Sequence, residues 1–437
     1  MFLKLGIQQS LLILFVMYSA VPLASNRPFF WALNLLIAVL LAYSVSPKII
    51  HDWRRFTPKP ILILFSLLIV YGIVQCFPLS INSSVIVPAN ILPKSITIAV
   101  GPTVLAIARW LTYGLLFMTT IAFFRKTGRS RQALQILVVG IAFFAIYSLV
   151  ALTQLGDPLL IFEKTGSKGV ATGTFVNRNN FATFIAIGLV IAFSFILVDL
   201  QSQINRSKNN WSSLFSTSLW LNSACIGALF LALVMTESRM GVFAAGTGIL
   251  VIAGLFLFKI EKHRWLLLSL FLIFLVAISI SILTNVDTFL DRVLTVEKAA
   301  GSRMDAYILA LNLIEDRPLI GFGAGTFELA FPLVRDYTLN PAFVWDKAHS
   351  TYLTLFVELG LFFGMIPILI VAILFKSSLA MYVTSSALSV RNLACIGAII
   401  VVGVHSLVDF SIEVQAVTIL FVFILAMGQT VRIKNVA

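Results

Sequence analysis

Apolar residues run along this chain in long uninterrupted stretches, near 5–25, 28–46, 61–79, 103–124, 132–155, 180–200, 214–236, 240–258, 265–286, 351–375, 391–408 and 414–431. A helix that crosses a bilayer needs about 20 apolar residues. The pattern therefore predicts an all-α polytopic membrane protein with about 12 transmembrane helices, forming a single integral membrane domain over residues 1–437. The first stretch follows only Lys4 and precedes no convincing small-residue cleavage pattern, so it reads as a retained span.

Composition removes the soluble alternative. The chain is 59% hydrophobic and 11% charged, with 37 Phe and a mean hydropathy of +1.01. A soluble domain is roughly half apolar and about a quarter charged. Cys76, Cys225 and Cys395 all lie inside apolar runs and indicate neither a disulfide framework nor a metal site.

Charge then sets the orientation. Counted over alternate loops, one set holds 18 Lys and Arg against three acids, and the other holds 12 against 14. Only Arg109 and Glu358 remain inside spans. Positive loops stay on the cytoplasmic side, so both termini are expected inside. The net charge of +13 is an orientation signal and calls for no nucleic acid.

The connections are short except for residues 287–350, a 64-residue loop expected on the periplasmic side. Long ordered loops of this kind are commonly lids or binding elements. Within it, Ser302 and Asp305 precede apolar Tyr307, Ile308, Leu311 and Ile314 at helical spacing, which predicts an amphipathic helix ending at Arg317 and Pro318. The following Gly321-Phe322-Gly323-Ala324-Gly325 has the wrong spacing and the wrong context for a dinucleotide fingerprint. The sequence has no Walker A element, H-E-x-x-H or paired acidic metal motif. ATP-driven transport and metal-dependent hydrolysis lose their support accordingly.

Four clusters carry candidate chemistry. In Thr172-Gly173-Thr174-Phe175-Val176-Asn177-Arg178-Asn179-Asn180, the asparagines around Arg178 read either as a helix cap with a snorkelling arginine or as an anion site at a helix N-terminus. Thr236-Glu237-Ser238-Arg239 is a very short outer turn. Arg239 there either pairs locally with Glu237 or points into a wet cavity. Arg303 opens the amphipathic helix, on a solvated face or toward a ligand. His349 stands where the large loop returns to the membrane, as a structural histidine or as a base. His405 and Asp409 are four apart, so the carboxylate either orients the imidazole or satisfies it. All of these project to the same outer face, and several arginines with a histidine suit a large anion plus a hydroxyl to be activated.

At these residues the chain resembles the bacterial O-antigen ligase and O-antigen polymerase superfamily. The matching pieces are Thr172-Gly173-Thr174-Phe175-Val176-Asn177-Arg178-Asn179, Ser238-Arg239, the Arg303 helix running into Asp316-Arg317-Pro318-Leu319-Ile320-Gly321-Phe322-Gly323, His349, and His405-Ser406-Leu407-Val408-Asp409-Phe410. The resemblance implies a metal-independent membrane glycosyltransferase without a cofactor, in the bacterial inner membrane. It would take a glycan from undecaprenyl pyrophosphate on the periplasmic face and pass it to an acceptor hydroxyl. That acceptor is the lipid A core in lipopolysaccharide ligases and a second lipid-linked glycan in O-antigen or exopolysaccharide polymerases. It further implies that Arg239 and Arg303 hold the pyrophosphate and that His349 is the base. Arg178 is added here as a third pyrophosphate ligand, with Asn177, Asn179, His405 and Asp409 in support. Many relatives have His-Asn where this chain has His349-Ser350, and a Trp near Tyr307. The rival expectation is a twelve-span transporter or lipid-glycan flippase, which would show two similar halves, broken helices and ionisable groups at mid-membrane.

Overall fold

The computed structural model describes residues 5–44, 57–79, 95–124, 127–160, 162–164, 166–206, 216–259, 303–336, 339, 345–385 and 388–430. Among them the regular structure is helical, apart from one isolated bridge between Leu159 and Phe162. The helices are α1 (Ile7–Ala20), α2 (Pro28–Tyr43), α3 (Lys59–Gln75), α4 (Val100–Phe124), α5 (Thr127–Gln154), α6 (Arg178–Arg206), α7 (Thr217–Met235) and α8 (Arg239–Lys259). After them come α9 (303–316), the short α10 (Phe327–Ala330), α11 (Thr351–Thr384), α12 (Val390–His405) and α13 (Gln415–Gly428).

Eleven of the twelve apolar stretches fall on these helices. The stretch 265–286 lies outside the described residues, as do residues 287–302 of the long loop, including Ser302. Among the described residues six helices, α4 to α8 and α11, are long and apolar enough to cross a membrane. Five more (α1, α2, α3, α12 and α13) are apolar but only 14 to 17 residues long. The expected helix is present as α9, but its buried face is not the one the apolar spacing suggested: Ala306, Leu309, Ala310, Leu313 and Ile314 are buried, whereas Ile308 and Leu311, with Met304, are exposed.

Helix α6 is the hub. A helix that is apolar all round belongs in the middle of a bundle, and 83% of the apolar window of α6 is buried, against 28–39% for the other five long helices. It packs against α5, α7, α8 and α12. Small residues set the closest approaches: a Cβ on Gly248 of α8 would stand 2.7 Å from Val401 of α12 and 3.1 Å from Val190 of α6. In lipid, where apolar tails compete equally for apolar surface, such close packing is what holds helices together. The outer helices turn Phe143, Trp220, Phe243 and Phe362 outward.

Helix α11 is broken. Gly360 has φ +73 and ψ 171, and the backbone groups that the break releases are taken by the glycine loop that follows α9. Phe322 N–H donates to the Val357 carbonyl at 2.9 Å, Gly323 N–H to the Glu358 carbonyl at 2.9 Å, and Leu361 N–H to the Pro318 carbonyl at 2.7 Å. Gln75 adds a side-chain bridge, donating to the carbonyls of Ile320 and Glu358 and accepting from Ala324 N–H. Non-helical backbone beside hydrocarbon is tolerated only when it is satisfied in this way. The glycines of 321–325 thus serve close backbone docking, which fits the failure of that segment as a nucleotide motif.

Candidate active site

The site lies where five segments meet at one end of the bundle: the 171–180 turn, the 236–239 turn, the start of α9, the strap 345–350 and the 406–414 turn. The first two are joined by Ala171 N–H donating to the Met235 carbonyl at 2.8 Å and by an ion pair between Arg178 and Glu237 at 3.6 Å. Asn179 ties the first to the last, donating through Nδ2 to Asp409 Oδ1 at 3.3 Å. The strap is tied to the last by Thr351 N–H, which donates to the carbonyls of Ser406 and Asp409. Helix α9 closes the ring: the Tyr307 hydroxyl donates to the His349 carbonyl at 3.0 Å.

Two residues of this assembly have a strained backbone, Glu237 at φ +53 and His349. The φ of His349 is +52, a region that non-glycine residues enter rarely and that needs surrounding contacts to persist. The imidazole is held edge-on between Trp345, with ring centroids 5.6 Å apart, and Phe410, at 5.3 Å. Its Nδ1 is buried with no hydrogen-bond partner among the described residues. Burial and the charge of Arg303 hold His349 below the ordinary histidine value of 6.5, against the opposing pull of Asp409 and Asp346. The ring is therefore neutral at pH 7 and able to accept a proton.

Asp409 accepts from Asn179 and from the Ser411 hydroxyl. Burial raises its pKa, while Ser411, His349, Asn179 and Arg303 favour its charged form. The expected relation between His405 and Asp409 takes another form. Helix α12 ends at His405, so Asp409 sits beyond a turn and the two do not share a helical face. His405 Nδ1 instead meets the Thr183 hydroxyl of α6, and its Nε2 is buried without a partner among the described residues.

The structure thus brings Arg303, His349, Asp409, Asn179 and His405 into one neighbourhood. Asn177 turns out to be a cap: its Oδ1 accepts from Asn179 N–H at 2.8 Å at the start of α6. Arg178 is the first residue of α6 and is engaged with Glu237. Arg239, the first residue of α8, is exposed two residues from that Glu237. Both cations stand at helix N-termini, where free amides and the helix dipole favour an anion. Sequence reading missed Thr183, Tyr307 and Ser411, whose hydroxyls give no signal until their partners are known.

A bundle of apolar helices with a half-buried arginine and histidine beside a buried carboxylate at one end defines the class: a polytopic membrane protein. A comparison with known families adds to this. Residues 224–369 match the O-antigen ligase family. That third of the chain contains Arg239, Arg303 and His349 and supports membership of the O-antigen ligase/polymerase superfamily, a family of bacterial membrane glycosyltransferases. No curated protein shows significant similarity to the chain.

Proposed function

We propose that this protein is a metal-independent glycosyltransferase of the bacterial inner membrane, crossing it about twelve times, with its termini in the cytoplasm and its site on the periplasmic face. It moves a glycan from undecaprenyl pyrophosphate to a hydroxyl of an acceptor, either a lipid A core or a second lipid-linked glycan. Arg239, Arg303 and Arg178 hold the pyrophosphate and stabilise the charge that grows on it as the sugar leaves. His349 accepts the proton of the attacking hydroxyl.

The observation that carries this reading is the His349 imidazole, whose Nδ1 is buried with no hydrogen-bond partner among the described residues, in the field of Arg303. A base needs a free acceptor nitrogen, and a departing diphosphate needs a fixed cation close by. The broken α11, a feature expected of a transporter, gives that rival little support: the break is filled by the docked loop 317–325. The test is transfer by purified protein in detergent from a lipid-pyrophosphate-linked oligosaccharide, with the two acceptors supplied separately. Product on the lipid A core means ligase, and a ladder on the lipid-linked repeat means polymerase. No product on either, with movement of the lipid-linked glycan across liposomes, would replace the enzyme by a flippase.

A further inference from the structure

Arg109, the cation left inside α4 by the charge count, belongs to a ring of five residues outside the His349 cluster, joined through side chains and, at Glu413, through the main chain. Its guanidinium carbon lies 4.5 Å from the centroid of the Trp31 ring of α2, and its Nη1 donates to the Glu413 carbonyl at 3.2 Å. Two residues further along stands Gln415, whose Oε1 accepts from Asn34 Nδ2 at 2.8 Å. Asn34 returns to Trp31 three residues back on the same face of α2. Asn34 and Gln415 are fully buried.

Every member of this ring has one buried polar atom without a hydrogen-bond partner among the described residues: Trp31 Nε1, Asn34 Oδ1, Arg109 Nε, Glu413 Oε1 and Gln415 Nε2. An unmet buried polar group costs about 1–3 kcal/mol, and native interiors contain few of them. Five in one ring, between apolar helices, mark a place that a polar guest completes. Three of the five atoms are donors and two are acceptors. An ionised phosphodiester has no donor to meet Asn34 Oδ1 and Glu413 Oε1, and a phosphate or pyrophosphate ion brings charge where only one of the five residues is cationic. Hydroxyl groups donate and accept at once, and an indole beside amides, a guanidinium and a carboxylate suits a polyhydroxylated ring. The ring is also connected to the candidate base: Lys347, two residues before His349, pairs with Glu413 at 3.2 Å.

We propose that Trp31, Asn34, Arg109, Glu413 and Gln415 form a glycan subsite that receives hydroxyls of a substrate oligosaccharide beside the His349 strap. This rests on the glycosyltransferase reading for the identity of the guest, and binding alone tests it. The probe is the phosphate-free oligosaccharide released by mild acid from the surface polysaccharide of the bacterium that makes this protein. Its affinity is measured for the full chain in detergent and for Trp31→Phe, Asn34→Leu and Gln415→Met, each checked for an unchanged thermal unfolding midpoint. Where Asn34→Leu fails to fold, Trp31→Phe, which removes the indole N–H with its five-membered ring and keeps an aromatic face toward Arg109, decides together with Gln415→Met.

The expected result is binding by the wild type and a loss of about tenfold or more in the folded variants, matched by a rise in KM for transfer with kcat little changed. A wild type that leaves the oligosaccharide unbound, or folded variants that bind it equally well, would overturn the subsite, with water alone then meeting these atoms. Displacement of the sugar by inorganic pyrophosphate at similar concentrations would overturn it in favour of an anion site. Sugar binding that depends on the ring, in a protein that transfers nothing, strikes the glycosyltransferase reading and leaves the subsite. Transfer with an unchanged KM in the variants strikes the subsite alone.

Discussion

At the scale of single residues, His349 concentrates the candidate chemistry, and its properties come from its neighbours. His349→Ala is expected to abolish transfer while the protein still inserts and accumulates; near-normal transfer by that variant removes it as the base. Its pKa is lowered, so the neutral, proton-accepting form persists below pH 6.5. The acid limb of the transfer rate should accordingly fall below 6.5, and a limb at or above that value would contradict the assigned environment. Tyr307→Phe deletes the bond to the His349 carbonyl, worth about 1 kcal/mol. If that bond positions the base, kcat falls roughly fivefold while donor affinity holds, and a changed affinity with an unchanged kcat would refute it. The sequence showed the histidine but not the packing of its ring against Phe410 or the bond from Tyr307, because both come from segments tens of residues away.

At the scale of elements, the glycine loop and the broken helix are one device. Gly321 has φ +64, and a Cβ there would stand 2.5 Å from the backbone of Glu358. Gly321→Ala therefore meets both a left-handed backbone cost of about 1–2 kcal/mol and a clash with main chain that cannot swing away. A lowered unfolding midpoint in detergent, with transfer falling in parallel, is expected; an unchanged midpoint would mean that the loop does not dock in the break. Helices α8 and α9 each begin with an arginine of the candidate site. Removing either charge from a diphosphate contact should weaken donor binding roughly 10- to 100-fold, the range for charge-assisted hydrogen bonds. Equilibrium binding of the lipid diphosphate to Arg239→Ala and Arg303→Ala checks this, and unchanged affinity in both would sink the anion site. The apolar stretches revealed the helices themselves, but the break in α11 was hidden inside one of them. Its cause is the loop docked against it and not any local polarity.

At the scale of the whole molecule, the alternating charge of the loops makes a claim about sidedness that one labelling experiment decides. Glu328 is exposed within α10, in the loop expected to face the periplasm. With Cys76, the least buried of the three native cysteines, replaced by Ser, Glu328→Cys should react with an impermeant thiol reagent in intact, outer-permeabilised cells. Reaction only after lysis would invert the topology. The sequence alone determined that the chain lives in lipid, roughly where its helices run and which loops are basic. These follow from transfer free energy and charge, which are sums over neighbouring residues. Tertiary packing decided that α6 is the hub, that Asn179 reaches Asp409, that His405 leans on Thr183 and not on Asp409, and that Trp31, Asn34, Arg109, Glu413 and Gln415 close into one ring. A hydrogen bond is a property of two groups at about 3 Å, and in a bundle those groups come from helices hundreds of residues apart, so no local pattern in the sequence records it.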